Sequence, residues 1–121
     1  MGWDIDLLSN GQPVQVAPHQ TGSVLEARVE NGEVVAIDSV AATCCITFNY
    51  SRLYDLAGFY MRDMSGKKAS ETVESLQEAV KKLGTDRDKN YWKDTPGNAG
   101  AALETLLRWA KQHPDAEWHV C

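Results

Sequence analysis

Asn49, Tyr50, Ser51, Arg52 and Tyr54 bring amide, phenol, hydroxyl and guanidinium groups into one short segment. If that segment joins a strand to a helix, free N–H groups at the helix start bind a phosphate or carboxylate, and Arg52 adds a charge-assisted contact. Tyr50 and Tyr54, pointing the same way, would stack a base or another ring. The plainer alternative is local: Ser51 caps the helix, Asn49 bonds nearby backbone and both tyrosines pack in the core. A second cluster of Tyr91, Trp92, Gly97 and Asn98 precedes another helix, with Arg62 as a further anion partner. Its plainer alternative is that Trp92 plugs the edge of the helical layer while Gly97 and Asn98 open the helix.

Other reactive side chains are less well arranged. Cys44, Cys45, His119 and Cys121 are the natural metal ligands, but zinc draws on short-spaced pairs that a turn aims at one ion. Neighbouring Cys44 and Cys45 on a strand point to opposite faces, so no metal and no cofactor is expected. Asp4 and Asp6 lie on the outward face of one strand, Glu117 and His119 on that of another. If these met, a carboxylate pair or an Asp–His contact would shift pKa values toward a catalytic range; otherwise they form a solvated face. The chain has no Gly-x-Ser-x-Gly elbow and no glycine-rich loop before a lysine, so nothing marks a nucleophile or a phosphate cradle. Lys67, Lys68, Lys81 and Lys82 bracket a helix whose Glu71, Glu74 and Glu78 offset them, as on a solvated helical face.

The elements that position these groups follow from periodicity. Trp3, Ile5 and Leu7 alternate with Asp4 and Asp6, which predicts a half-buried strand ending in turn chemistry at Ser9–Pro13. The runs 24–29 and 34–37 flank Asn31-Gly32, a pair suited to a type I′ hairpin turn. Thr43–Asn49 predicts a strand with Cys44, Ile46, Phe48 and then Tyr50 on one side. Ser51 is expected to cap a short helix carrying Leu53, Tyr54, Leu56 and Ala57, which Gly58 terminates. Ala69, Val73, Leu76, Val80 and Leu83 share one helical face, with Ser65 as cap and Gly84 as stop. Thr95-Pro96 opens a further helix with Ala99, Leu103, Leu106, Leu107 and Ala110 on one side, ending at His113-Pro114. The tail Ala116–Val120 alternates as a last strand. The expected fold is α+β, an antiparallel sheet of about five strands with two main helices on one face and both terminal strands in the sheet.

At 121 residues, 43% hydrophobic and 24% charged, the chain suits a single domain over 1–121. A net charge of −5 argues against a broad grip on nucleic acid. No apolar run is long enough to span a bilayer, and no basic-then-apolar leader opens the chain, so no membrane association is expected. Three cysteines, two of them adjacent, make a poor disulfide framework and fit the cytoplasm.

Ile46-Thr47-Phe48-Asn49-Tyr50-Ser51, followed by an amphipathic helix and by Gly97-Asn98-Ala99 opening a helix that ends at Pro114, resembles small proteins of unknown function encoded by bacteriophages and prophages. The likeness runs from Thr43 to Cys121. It implies a viral protein with an accessory role in the cytoplasm of a bacterial host cell, such as an antagonist of host antiviral defence. The expectation is then a non-enzymatic binding protein, a homo-oligomer holding a small anionic, nucleotide-like ligand at Asn49, Tyr50, Ser51, Arg52 and Tyr54 with help from Arg62, Trp92 and Asn98. Two alternatives are a protein-binding inhibitor of a host defence effector and a small hydrolase using Asp4, Asp6 and His119.

Overall fold

The computed structural model describes residues 1–18, 28–30, 33–35, 39–90 and 92–121, with 28–30 and 33–35 as backbone only. Strand β1 (Gly2–Ser9) forms the spine of the molecule because its alternation buries Ile5 and Leu7 completely. After it, Asn10 and Gly11 both take positive φ, 53° and 77°, the signature of a two-residue type I′ turn. That turn folds β2 (Gln12–Pro13) back onto Leu8 and Ser9.

Four short strands follow among the described residues before the sheet resumes. β3 (Gln15–Val16) pairs with β6 (Val40–Ala41), and β4 (Arg28–Glu30) pairs with β5 (Glu33–Val35). The expected hairpin therefore exists as a ribbon of its own, while Asn31-Gly32 and the outer parts of the expected runs, 24–27 and 36–37, lie outside the described residues. β7 (Thr43–Thr47) returns along Gly2–Asp6, and β8 (Glu117–Val120) lies on the other side of β1 along Ile5–Leu8. Both terminal strands are thus neighbours in one antiparallel sheet of four strands, β2, β1, β7 and β8.

Helices α1 (Ser51–Ala57), α2 (Val73–Leu83) and α3 (Pro96–Gln112) complete an α+β fold. One cluster joins Ile5, Leu7, Ile46 and Trp118 of the sheet to Leu76 of α2 and to Leu103, Leu106 and Trp109 of α3. α3 begins as its sequence dictates: Thr95 Oγ1 accepts the Asn98 N–H at 3.1 Å and Pro96 occupies the first turn, where a missing N–H costs nothing.

α2 starts later than its apolar spacing predicts. Gly66 N–H donates to Trp118 O at 2.9 Å, Trp118 N–H to Lys67 O at 3.0 Å and Ala69 N–H to Ala116 O at 2.7 Å. These bonds lay 66–69 along the outer edge of β8, with Lys68 forming one antiparallel bridge to Glu117, so an α-helix cannot form until the 3-10 turn Ala69–Thr72 has passed. Ser65 accordingly does not cap α2; it ends the 3-10 turn Met61–Met64 and its Oγ accepts the Val120 N–H.

The loop after α2 lies directly across the start of α3. A Cβ at Gly97 would collide with the Asp86 backbone, and one at Gly100 with the carbonyl of Gly84. Glycine at both positions lets two backbones touch where a side chain would push them apart.

Candidate functional site

Between β7 and α1 the chain makes a tight 3-10 turn, Phe48–Tyr50. Thr47, rather than Ser51, does the capping: its Oγ1 accepts the Asn49 N–H at 3.2 Å. Ser51 sits inside α1 with its N–H and its Oγ both donating to Phe48 O, the latter at 2.7 Å. The N–H groups expected to receive an anion at Asn49 and Ser51 are therefore engaged within the turn, because a 3-10 turn closes its own bonds as the strand ends.

Tyr50 is fully buried and Tyr54 is 2% exposed. Their rings meet edge to face at 6.1 Å, and Tyr54 also packs against Trp3 and Phe59. Tyr54 Oη donates to Ala99 O at 3.0 Å, tying α1 to α3. These two rings build the core where a stacking pair was expected. Arg52 is exposed on α1, and Arg62 is exposed on the 3-10 turn Met61–Met64.

The second cluster does converge on the first. Asn49 Nδ2 donates to Trp92 O at 3.0 Å across 43 residues of sequence. The loop carrying Trp92 is held from beneath by Asn98, 3% exposed, whose Oδ1 accepts the Asp88 N–H at 2.8 Å while Nδ2 donates to Asn90 O at 3.0 Å and Lys93 O at 2.9 Å. Asp88 Oδ1 and Asn90 Oδ1 accept the N–H groups two residues ahead, at Asn90 and Trp92, the side-chain mimicry of a backbone turn. Asn98 thus acts as an organiser of the loop, and Tyr91 lies outside the described residues.

On the outward face of the sheet Asp6 stands opposite His119, with Oδ2 and Nδ1 3.8 Å apart. Beside it a groove of about 500 Å³ is lined by Asn10, Ser65, Glu117 and His119 among others. The pair is open to solvent, His119 at 59% of its side chain, so water screens the attraction between the two side chains. Among the described residues no three His, Cys, Asp or Glu side chains are placed to share a metal ion, and no helix is long and apolar enough to cross a membrane.

The cysteines divide by surroundings. Burial of the Cys44 thiol, followed by the negative charge of Cys45, Asp6 and Asp4, pushes its pKa far up from 9.0. Burial, then the charge of Asp4 and a hydrogen bond with it, raises Cys45 as well. A thiol so placed is a poor nucleophile. Folded Cys44 keeps its proton where the unfolded thiol loses it, so its contribution to stability is complete below about pH 9 and declines as the pH rises beyond. The advantage in melting temperature of wild type over Cys44→Ala is expected to shrink between about pH 8 and about pH 10. An advantage that stays constant over that range would show that the thiol is not shielded.

Large apolar side chains remain on the surface around α1. Leu56 is 75% exposed, Tyr60 57% and Trp92 48%. Arg52 and Leu56, one turn apart, form the outer side of α1; Trp92 is tied to Asn49 just before the helix, and Tyr60 follows just after it. The sequence places Leu56 on this short helix without choosing its face. The leucine falls about 200° around the helix from Tyr54, and once Tyr54 turns inward Leu56 must turn out. Lys82 Nζ donates to Ala57 O at 3.2 Å, fixing the end of α1 to α2. No protein-family model, no curated protein and no solved structure matches this chain.

Proposed function

We propose that this protein acts by binding a protein partner across the outer side of α1, with Leu56 as the central apolar contact and Trp92, Arg52 and Tyr60 around it. The observation that carries this reading is the 75% exposure of Leu56 on a helix whose ends are pinned by Asn49 and Lys82. Aromatic residues and arginine supply most of the energy at protein interfaces, and a pinned helix presents them without an ordering cost on association. Tyr50 and Tyr54 are engaged in the core, which favours a protein-facing surface over a stacked nucleotide-like ligand.

The wider role we propose is a non-enzymatic accessory protein of phage origin that covers a host defence effector in the bacterial cytoplasm. Its support is the resemblance of the Ile46–Ser51 segment to phage proteins, together with this surface. The test is native mass spectrometry of the protein purified from the cells that carry it. Wild type is expected to bring down one partner in fixed stoichiometry, and Leu56→Glu combined with Tyr60→Ser is expected to lose it while melting normally. A partner retained in full by that double variant would remove α1 from the interface.

A further inference from the structure

The two edges of the sheet are treated differently. The outer edge of β8 is covered by residues 66–69, through backbone bonds at Gly66, Trp118 and Ala69 and the bridge of Lys68 to Glu117. The outer edge of β7 has no strand paired to it among the described residues. Which of its groups point outward follows from the bonds of β1. Asp4 exchanges N–H and C=O with Cys121 at 3.1 and 2.8 Å, so its backbone groups face β8. Leu7 N–H donates to Ala42 O at 3.0 Å and Met1 O accepts the Phe48 N–H at 3.2 Å, so the odd-numbered residues of β1 face β7. In the register Trp3 to Ile46 and Ile5 to Cys44, the backbone groups of Ala42, Cys44 and Ile46 point inward. Those of Thr43 and Cys45 point away from the sheet, because antiparallel partners alternate.

Proteins blunt such an edge with lysine, proline, a bulge or a covering segment. The run Ala41-Ala42-Thr43-Cys44-Cys45-Ile46-Thr47 carries no proline and no charge. We infer that this edge is a self-association surface: β7 of one copy pairs antiparallel with β7 of a second copy about a two-fold axis, joining two four-stranded sheets into one. The occupant is argued from charge and pattern. A basic or acidic foreign strand finds no counter-charge on β7, whereas a second β7 brings none to repel. Reversed against itself, the strand also sets threonine and cysteine of the outer face against threonine and cysteine, and the apolar side against apolar, so each cross-strand pair is compatible. Isologous pairing of this kind closes after two copies and leaves no β7 edge open to a third. It uses a surface separate from α1, so either proposal stands if the other fails.

Sedimentation equilibrium of the full chain under reducing conditions tests it. Wild type is expected to pass from monomer to dimer, and no further, as its concentration rises toward millimolar. Cys45→Pro removes an outward N–H that β1 does not use, a substitution an edge strand tolerates. It deletes one bond in each copy's strand and is expected to weaken the dimer about thirtyfold. Thr43→Lys, at an exposed position, is the second variant should the proline disturb folding, and is expected to weaken the dimer through paired like charges. A wild type that stays monomeric overturns the inference, including the case in which the edge pairs only with a strand of another protein, as does a dimer that both folded variants leave intact.

Discussion

Asn98→Ala is expected to lower the stability of the protein by about 3 kcal/mol, the sum of three hydrogen bonds near 1 kcal/mol each. All three, to Asp88, Asn90 and Lys93, come from one buried amide, and among the described residues of the loop no apolar side chain of comparable burial replaces them. The expected sign in solution is a lower urea midpoint, accompanied by a red shift of Trp92 emission as its loop leaves the fold. Asn98→Asp separates the two halves of the amide. Its carboxylate still accepts from Asp88 but sets a negative charge against the carbonyls of Asn90 and Lys93, so it is expected to be at least as damaging as alanine. A residue acting as a ligand contact would behave in the opposite way, losing binding with the midpoint unchanged. A midpoint shift worth less than about 0.5 kcal/mol for the alanine variant would therefore return Asn98 to the list of contact residues.

The terminal strands were legible because period-2 alternation names the buried face directly: Ile5, Leu7 and Trp118 were assigned inward and are inward. The start of α3 was legible because Thr95-Pro96 encodes both a cap and a proline position, each a local matter. What was not legible depends on distant chain. Apolar spacing extends from Ala69 through Leu83, yet the α-helix begins only at Val73 because β8, roughly fifty residues later, recruits the backbone of 66–69, and a ladder bond outweighs a modest helix preference. The junction at Asn49 looked like a strand meeting a helix. The turn between them, Phe48–Tyr50, changes which N–H groups are free, and nothing in the residue types announces it.

For the candidate site the division is similar. The convergence of Asn49 with Trp92 was anticipated, as was the concentration of aromatic residues near α1. Their direction was not, since a seven-residue helix offers too few apolar positions for periodicity to choose a face. Gly97 and Gly100 illustrate the same limit: glycine is compatible with a flexible turn, a cap or a close approach, and only the passage of Gly84–Asp86 across α3 selects the last.

Trp118→Ala is expected to cost about 4 kcal/mol, near the top of the range for a large aromatic removed from a packed interior. Trp118 is 1% exposed and stands opposite Leu7 at the seam between the first and last strands. Its backbone bonds both Lys67 and Gly66, and its indole Nε1 donates to Thr72 Oγ1 at 2.8 Å. One residue therefore closes the terminal strands, covers the outer edge of β8 and positions the turn that precedes α2. Trp118→Phe isolates the last of these. The ring still fills most of the volume, and Thr72 Oγ1 still donates to Ala69 O, so only one bond is lost, at about 1 kcal/mol. Hydrogen exchange locates the damage. In the alanine variant the amides of Gly66 and Ala69 are expected to lose protection first, because the segment they hold to β8 is the outermost layer on that side, whereas the β1–β7 ladder opens only with global unfolding. Equal loss across all strands would mean that the sheet and its edge cover unfold as one unit.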